Sequence, residues 1–522
     1  MNKRVAVFGW GLVAPGAGNI DEFEKMLGGG ASHLEAFRGF GQSPFLVGEP
    51  KFRVEDYESW ISARFPKARF KQLVEKMDPT TLFAVGSFIQ ALGQNPALEQ
   101  LLVEAGAQSH VYVGNALGAY PTLFQSSIEY HRALRRWNRF WATPERNAAY
   151  RAYLTDPFPV PLEDPATASD PDQREALEDD WFAYWADKSQ DLSKYLERIA
   201  AIESPSVTGD VAQGKMKLLR DKRRQLTSLA DEWSAPPAPW ESVSANVLWN
   251  ISNTPASQIS MLGKITGLAF APVAACSTFG VSLKLAIDAI GRGDARFVVL
   301  GSADPPPHPL SVGAFYGARV LSADGQPSKP LTGLKGTHVA GGACVWIVGD
   351  LEAGLAAGLK PLGIEPLAVG TSSDADHIIT PSEEGPRAAM RQALERAQVA
   401  PSEISTWDLH ATATPGDFTE LVNLQSVIGK ETRVTARKGT FGHGMGVGGG
   451  WELTAQYLGL SRGVIYPTVL SGSEPNPAIA ELGQHLVFDQ AEPASGVAGK
   501  LSMGVGGINA CVISRPFTDE KK

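Results

Sequence analysis

Short apolar runs bounded by glycine or proline recur along this chain and alternate with stretches whose apolar residues fall at helical spacing. Val5, Ala6, Val7 and Phe8 read as a first strand, with Gly9 and Gly11 predicting a turn out of it. A capped helix is predicted over 19–28, and another over 80–92, opened by Asp78 and Pro79. Residues 111–114 read as a strand that leads into the small-residue turn 115–118. The apolar lead-in at 272–275 reads as a buried strand end. Ser277 and Thr278 then start a helix, in which Val281, Leu285, Ala286 and Ile290 share a face, and Gly291 and Gly293 stop it. Strands over 297–303 and 343–348 follow. The remainder repeats the alternation: strand 366–370, helix 385–398, strand 405–409, helix 451–459 and a closing hairpin over 501–513. The pattern predicts an α/β protein of two similarly built halves, 1–350 and 351–516, although no repeat is legible in the residues themselves.

Residues 125–242 break this rhythm. They are rich in charge and hold half of the chain's twelve tryptophans. Trp137 and Trp141, like Trp181 and Trp185, are four residues apart and share a helix face. The segment is expected to be a mostly helical insertion into the first half, its aromatic stripe packing on the host. Its one basic face is 215–224.

Bulk composition excludes more than it identifies. The net charge of −9 gives no global case for nucleic-acid or anionic-membrane binding, and no run is long and apolar enough to span a membrane. The start has a basic residue pair before an apolar run, but that run is too short for a signal peptide. Gly9 and Gly11 lack the third glycine and the later acidic residue of a dinucleotide fingerprint. Cys276, Cys344 and Cys511 are odd in number and far apart, so they make neither a disulfide framework nor a metal-ligand spacing. A reducing cytoplasm and no bound metal are expected.

Candidate chemistry gathers in four stretches. Cys276, in PVAACSTFG (272–280), sits at a helix N-terminus, where unpaired N–H groups and the helix dipole are expected to lower a thiol's pKa. A lone cysteine among small apolar residues is more often core filler. However, His410 ends a strand in the loop DLHATATP (408–415), and His443 follows Lys438 by five residues in KGTFGHGMG (438–446). The turn LSMGVGGINA (501–510) can bring backbone N–H groups close to a ligand. One thiol with two loop histidines is difficult to read as packing alone.

Taken in this order, the motifs resemble the β-ketoacyl-acyl-carrier-protein synthase (ketosynthase) family of the thiolase superfamily. Two further landmarks support the likeness, GAFYGARVLS (313–322) and SSDADH (372–377). The resemblance implies a duplicated αβαβα layered fold carrying the helical insertion. It also implies that Cys276 is the acyl-accepting nucleophile, with His410 and His443 assisting malonyl decarboxylation. Lys438 would be charge-paired with Glu420 and with Asp417, and the N–H groups of Cys276 and Val505 would form an oxyanion hole. Thr412 and Thr414 would hold a phosphopantetheine arm delivered by the carrier protein, so no cofactor of the protein's own is implied. Leu117 and Phe315 would bound the acyl pocket. Arg319, and less directly Lys71, Lys76, Lys222, Arg223 and Arg224, would dock an acidic acyl-carrier protein.

Three departures stand out. Ala411 replaces a glycine, the loop after Thr414 is one residue short, and Val505 stands where the family commonly has a gating phenylalanine, with Met503 at the nearby aromatic position. The insertion begins just after Leu117 and could reshape the pocket, the dimer surface or the carrier dock. The expectation is a condensing acyltransferase of fatty-acid-like or polyketide-like biosynthesis, cytoplasmic and homodimeric, with a heterodimer as the variant. The rivals are an acyltransferase or decarboxylase acting on a non-malonyl acceptor, and a non-catalytic chain-length partner, which typically lacks the cysteine. A degradative thiolase is disfavoured, because Cys511 falls inside a strand rather than in a terminal glycine motif.

Overall fold

A computed structural model describes residues 3–206, 211–378 and 382–517. The chain forms two compact units, one made of Met1–Pro121 with Leu248–Lys522, the other of Thr122–Val247.

The larger unit is organised by two five-stranded sheets. The first contains β1 (Val5–Val13), β2 (Ser109–Gly114), β3 (Ala269–Phe270), β4 (Phe297–Asp304) and β5 (Gly342–Asp350), in the order β1-β5-β4-β2-β3. The second contains β6 (Glu365–Ser373), β7 (Ile404–Asp408), β8 (Arg433–Thr435), β9 (Val497–Gly504) and β10 (Ile508–Arg515), in the order β6-β10-β9-β7-β8. Counted within its own half, each sheet runs 1-5-4-2-3. Each also has two antiparallel pairings followed by two parallel ones. The duplication is therefore explicit in topology and register, where the residues alone showed no repeat.

Five helices fix the layers: α1 (Pro79–Gly93), α2 (Thr278–Arg292), α3 (Glu384–Ala397), α4 (Gly416–Val427) and α5 (Gly448–Ser461). Asp78 caps α1 by accepting from the Thr80 N–H, and Gly293 ends α2 at φ +83, a left-handed conformation that suits glycine. Helices α2 and α5 lie between the sheets. Phe279, Leu283, Trp451 and Tyr457 share one core with Trp10, Trp346, Val369 and Val512. On the far side of the first sheet, Phe83, Phe88 and Leu92 of α1 pack on Phe8, Val299 and Ile347. On the far side of the second, Met390 of α3 and Leu421 of α4 pack on Trp407 and Ile513. Helix, sheet, helix, sheet and helix thus follow one another, the layered α/β fold the sequence resemblance implied. No described helix is long and apolar enough to cross a membrane.

Two sequence expectations are corrected here. Gly9 and Gly11 do not turn the chain out of β1, which continues to Val13. A bulge between Val7 and Gly9 shifts the side-chain phase instead, so Val5, Val7, Trp10 and Leu12 all face the central core. Both positions are glycine because α1 crosses them closely: a Cβ would lie 2.3 Å from the Ala91 carbonyl oxygen at Gly9, and 2.1 Å from that of Ser87 at Gly11. In addition, the lead-in to Cys276 is not a strand. β3 ends at Phe270, and 271–274 belong to no strand.

The smaller unit is mostly helical, with long helices at Tyr120–Trp141, Pro171–Asp187, Gln190–Glu203 and Val211–Trp233. Its tryptophans pack in two clusters, Trp137, Trp141 and Trp233 in one and Trp181 and Trp185 in the other. The Trp137 and Trp141 rings are 5.5 Å apart, Trp141 and Trp233 6.0 Å, and Trp181 and Trp185 5.9 Å. Buried aromatic pairs of this kind each contribute about 0.5–1.5 kcal/mol beyond the area they bury, so the segment carries a core of its own.

The close α1 crossing is directly testable. Gly11→Ala is expected to destabilise the protein by about 1–3 kcal/mol through overpacking. Gly93→Ala, in open space at the end of α1, should instead stabilise it by about 0.5–1 kcal/mol. Urea unfolding of the two variants checks both signs.

Candidate active site

Cys276 occupies a tight 3-10 turn, Ala275–Ser277, at the entrance to α2. Ala275 adopts φ +47, a left-handed conformation that costs a non-glycine residue about 1–3 kcal/mol and persists only where its surroundings enforce it. Thr278 Oγ1 accepts from the Ala274 N–H at 3.0 Å and donates to the Ala275 carbonyl at 2.7 Å. Ser277 Oγ lies 3.0 Å from the Ser502 carbonyl and 2.7 Å from that of Ile508, tying the turn to the β9–β10 hairpin.

Above the sulfur stand the two histidines. Cys276 Sγ is 3.2 Å from His443 Nε2, and the His410 and His443 rings meet edge to face with centroids 5.4 Å apart. All three residues are buried. Their donor atoms lie within 4.8 Å of one another, a grouping the sequence spacing could not reveal. The N–H groups of Val505 and Cys276 itself both point at the sulfur.

The histidines are held by their backbones. The Glu420 carboxylate accepts the N–H groups of His410 and Ala411 at 2.7 and 2.8 Å. Asp417 accepts those of Thr412 and Ala413 at 2.8 and 3.1 Å and also that of Leu331 at 2.8 Å. Neither acid pairs with Lys438, contrary to the expectation. The Lys438 ammonium is 2.6 Å from Glu452 on α5 and also donates to the His410 carbonyl. The expectation failed because the two acids on α4 are spent on straightening the 410–414 loop, while α5 presents its own carboxylate from the central layer. Asp304, at the end of β4, was not identified from sequence. It accepts from Ala116, Leu117 and Gly446, each at 2.9 Å, and so binds the loop of His443 to the one after β2. A lone aspartate before three prolines gave no signal of this.

Burial dominates the electrostatics. It pushes the Cys276 thiol up to about 11, while the Lys438 charge and the two N–H groups only partly offset it. The helix-terminus expectation of a lowered thiol pKa is therefore corrected: desolvation outweighs the dipole. His410 and His443 are held well below the usual histidine value, first by burial and next by Lys438, so both imidazoles are neutral. Burial likewise raises Asp304 and Glu420 to about 7, and Asp417 to about 6.

A cavity of about 390 Å³ opens onto these groups. Of the residues singled out in sequence, Cys276, Phe315, His410, Thr412, Thr414, Asp417, Glu420, His443, Met503 and Val505 line it. The Thr412 and Thr414 hydroxyls are 3.0 Å apart. Val505 is half exposed and Met503 buried. Leu117 does not line the cavity; it packs beside Phe37, Val47 and Met445. Arg319 is exposed, its guanidinium 5.5 Å from the Tyr316 ring. Lys71 and Lys76 are exposed, and Lys71 is 3.6 Å from Glu75. On the smaller unit, Lys222 is taken up by Glu203 at 3.1 Å and Arg224 by Asp221 at 3.3 Å, whereas Arg223 is exposed.

Comparison with known proteins agrees with this geometry. Residues 219–353 match the beta-ketoacyl synthase N-terminal domain, and residues 365–471 the beta-ketoacyl synthase C-terminal domain. A 3-oxoacyl-[acyl-carrier-protein] synthase 2 of Rhizobium meliloti (strain 1021) is 30% identical over 277 residues, covering 51% of this chain. The chain spans 65% of that curated relative's length, less than two thirds. Among solved structures, the ishigamide ketosynthase/chain length factor is 19% identical, with a TM-score of 0.68 over 99% of this chain and all of that one. A type II PKS acyl-carrier protein in complex with its ketosynthase is 15% identical, with a TM-score of 0.65 over the same shares. Both likenesses are of fold.

Because its thiol is protonated at neutral pH, Cys276 should be alkylated by iodoacetamide at a rate that rises about tenfold per pH unit from 7 to 9 without levelling off. Mass-spectrometric counting of the Cys276 adduct checks this. A plateau below pH 8 would show a resting thiolate instead. Lys438→Met should slow the reaction further at each pH.

Proposed function

We propose that the chain is a β-ketoacyl synthase of the thiolase superfamily, as its domain matches and curated relative support, and that it catalyses decarboxylative Claisen condensation, joining an acyl group on Cys276 to malonyl-acyl-carrier protein in fatty-acid or polyketide biosynthesis. One observation carries this reading: a thiol 3.2 Å from an imidazole, a second imidazole beside it and two N–H groups at the sulfur, all facing one cavity.

The chemistry follows from what each group can hold. The Cys276 thiol attacks the acyl thioester and passes its proton to the departing carrier sulfur, while His443, 3.2 Å away, keeps its own proton on Nε2 and steadies the sulfur as its charge develops. The carrier thiol leaves with the cysteine's proton, and the acyl group remains on the Cys276 sulfur. Malonyl-carrier protein then enters. As its carboxylate departs as CO2, the electron pair moves into the thioester, and N–H groups of the two neutral imidazoles receive the enolate oxygen. The α-carbon attacks the acyl-cysteine carbonyl. The N–H groups of Cys276 and Val505 hold the resulting oxyanion until it collapses, releasing the thiolate and a β-ketoacyl carrier two carbons longer. Neutral imidazoles suit this task, because the enolate must form without being protonated.

The phosphopantetheine arm would enter past Thr412 and Thr414. Arg319 is the best-supported docking cation, since its chain neighbours Phe315 and Val320 line the cavity. A homodimer in the cytoplasm completes the proposal. It is supported by the edge strand β3, flanked by Leu268, Val273 and Met261, all at least half exposed, and by three free, buried thiols.

Intact-protein mass spectrometry with a panel of acyl-carrier proteins tests the reading. An adduct should form on the protein, be absent from Cys276→Ala, and disappear when malonyl-carrier protein is added, as the extended β-ketoacyl carrier appears. In His443→Ala, malonyl decarboxylation should fall about 10²–10³-fold, the usual loss for one such donor, while acylation stays measurable. An adduct that persists with malonyl-carrier protein and passes to another acceptor would replace condensation with simple acyl transfer.

A further inference from the structure

Lys500 takes no part in the steps above, yet its side chain is fully enclosed. It lies on β9, the strand that runs on through Met503 and Gly504 to the inward N–H of Val505. Its ammonium is 2.8 Å from Glu452 Oε2, 2.5 Å from the Leu501 carbonyl and 3.4 Å from the Leu409 carbonyl. Lys438 meets the other oxygen of Glu452 at 2.6 Å. One buried carboxylate therefore touches two buried ammonium groups, with Asp408 and Glu420 attracting Lys500 from further away. Desolvating a second cation is expensive, and an apolar residue of similar volume would fill the space at least as stably.

The surroundings indicate what the second charge does. Lys500 and Lys438 reach consecutive carbonyls, those of Leu409 and His410, while Glu420 takes the N–H groups of His410 and Ala411 from the other side. The backbone that aims the His410 ring is gripped on both faces by charged groups. The charges that act on the imidazoles are Lys438 and Lys500; further ionisable groups nearby are Cys276 from the nucleophile turn, Asp304 from β4, Asp408 from β7 (2.8 Å from Arg437), Asp417 and Glu420 from α4, Glu452 from α5, and Asp374 and His377 on the cavity wall.

We propose that Lys500 is a positioning residue for malonyl decarboxylation, fixing the His410 peptide through Glu452 and the Leu409 carbonyl and placing a second positive charge behind both imidazoles. The role rests on the condensing reading above. That charge opposes imidazole protonation, in line with the depressed values of both histidines, to which Lys500 contributes after burial and Lys438, and at His410 after the His443 ring as well. It also favours the negative charge that develops as CO2 departs.

Lys500→Met is the decisive variant, examined alongside the unaltered protein by two readouts. The turnover of malonyl-carrier-protein decarboxylation should fall about 10- to 100-fold, the scale of a misplaced catalytic group, with Cys276 acylation little changed. In histidine-labelled protein without substrate, the NMR titrations of His410 and His443 should move up towards the ordinary histidine value. If Lys500→Met fails to fold, Lys500→Gln keeps an uncharged donor beside Glu452, leaves the Lys438–Glu452 pair intact and should show the same two effects. Ethylammonium added to Lys500→Ala should restore rate and titration together. A folded variant with unchanged decarboxylation overturns the proposal, as does a slowed variant whose imidazoles titrate as before, since that loss would be packing alone. Should the unaltered protein not decarboxylate malonyl-carrier protein, the condensing reading falls, while the substrate-free titrations still decide whether Lys500 acts on the imidazoles.

Discussion

The site depends on a carboxylate sealed between two sheets. Glu452 sits on α5, a helix whose residues from Gly448 to Leu460 are all buried, and both of its oxygens are taken by ammonium groups. Lys438 comes from the loop before His443 and Lys500 from the strand before Val505, while both lysines reach the backbone at His410. Three separate segments, those carrying Lys438, Lys500 and Glu452 itself, thus meet in one ion cluster. In a medium that screens charge poorly, none of the three can drift without leaving an ion unpaired, which typically costs about 3–5 kcal/mol. That constraint lets catalytic loops rich in glycine and alanine hold a fixed geometry.

The same burial sets the protonation states. A thiol at a helix start reads from sequence as activated, because the dipole and the free N–H groups are all that a linear chain reveals. Enclosure reverses the sign, and the nucleophile depends on the neighbouring imidazole rather than on a standing thiolate. The two histidines remain uncharged for the same reason. What burial withholds from the thiol at rest, it returns as strong, directed N–H donation at the moment charge appears.

Much of this was legible in the chain. The strand and helix alternation, the nucleophile turn, both histidine loops and Lys438 stand in the sequence with usable boundaries, because each is a local pattern. What stayed hidden is what only packing decides. Gly9 and Gly11 looked like a turn, since a glycine kept small for a crossing helix has the same letter as one kept for a positive φ. Lys438 was matched to Glu420 through the family resemblance, whereas Glu452, Lys500 and Asp304 reach the site from other layers. The 1-5-4-2-3 order shared by the halves left no trace in the residues, because sheet order is a relation between strands and not a property of any one. The tryptophans of Thr122–Val247 were correctly placed on shared helix faces, and those faces fall in two separate clusters, Trp137 and Trp141 in one and Trp181 and Trp185 in the other.

Val505 contributes to the site in two separable ways. Its backbone N–H points inward at the sulfur, whereas its side chain is half exposed at the rim of the cavity. The reactive part is carried by an atom that every residue except proline possesses, and the visible part by atoms free to change. A lineage could therefore exchange this side chain repeatedly, altering which acyl groups are admitted, while the bond-making apparatus beneath it is inherited intact.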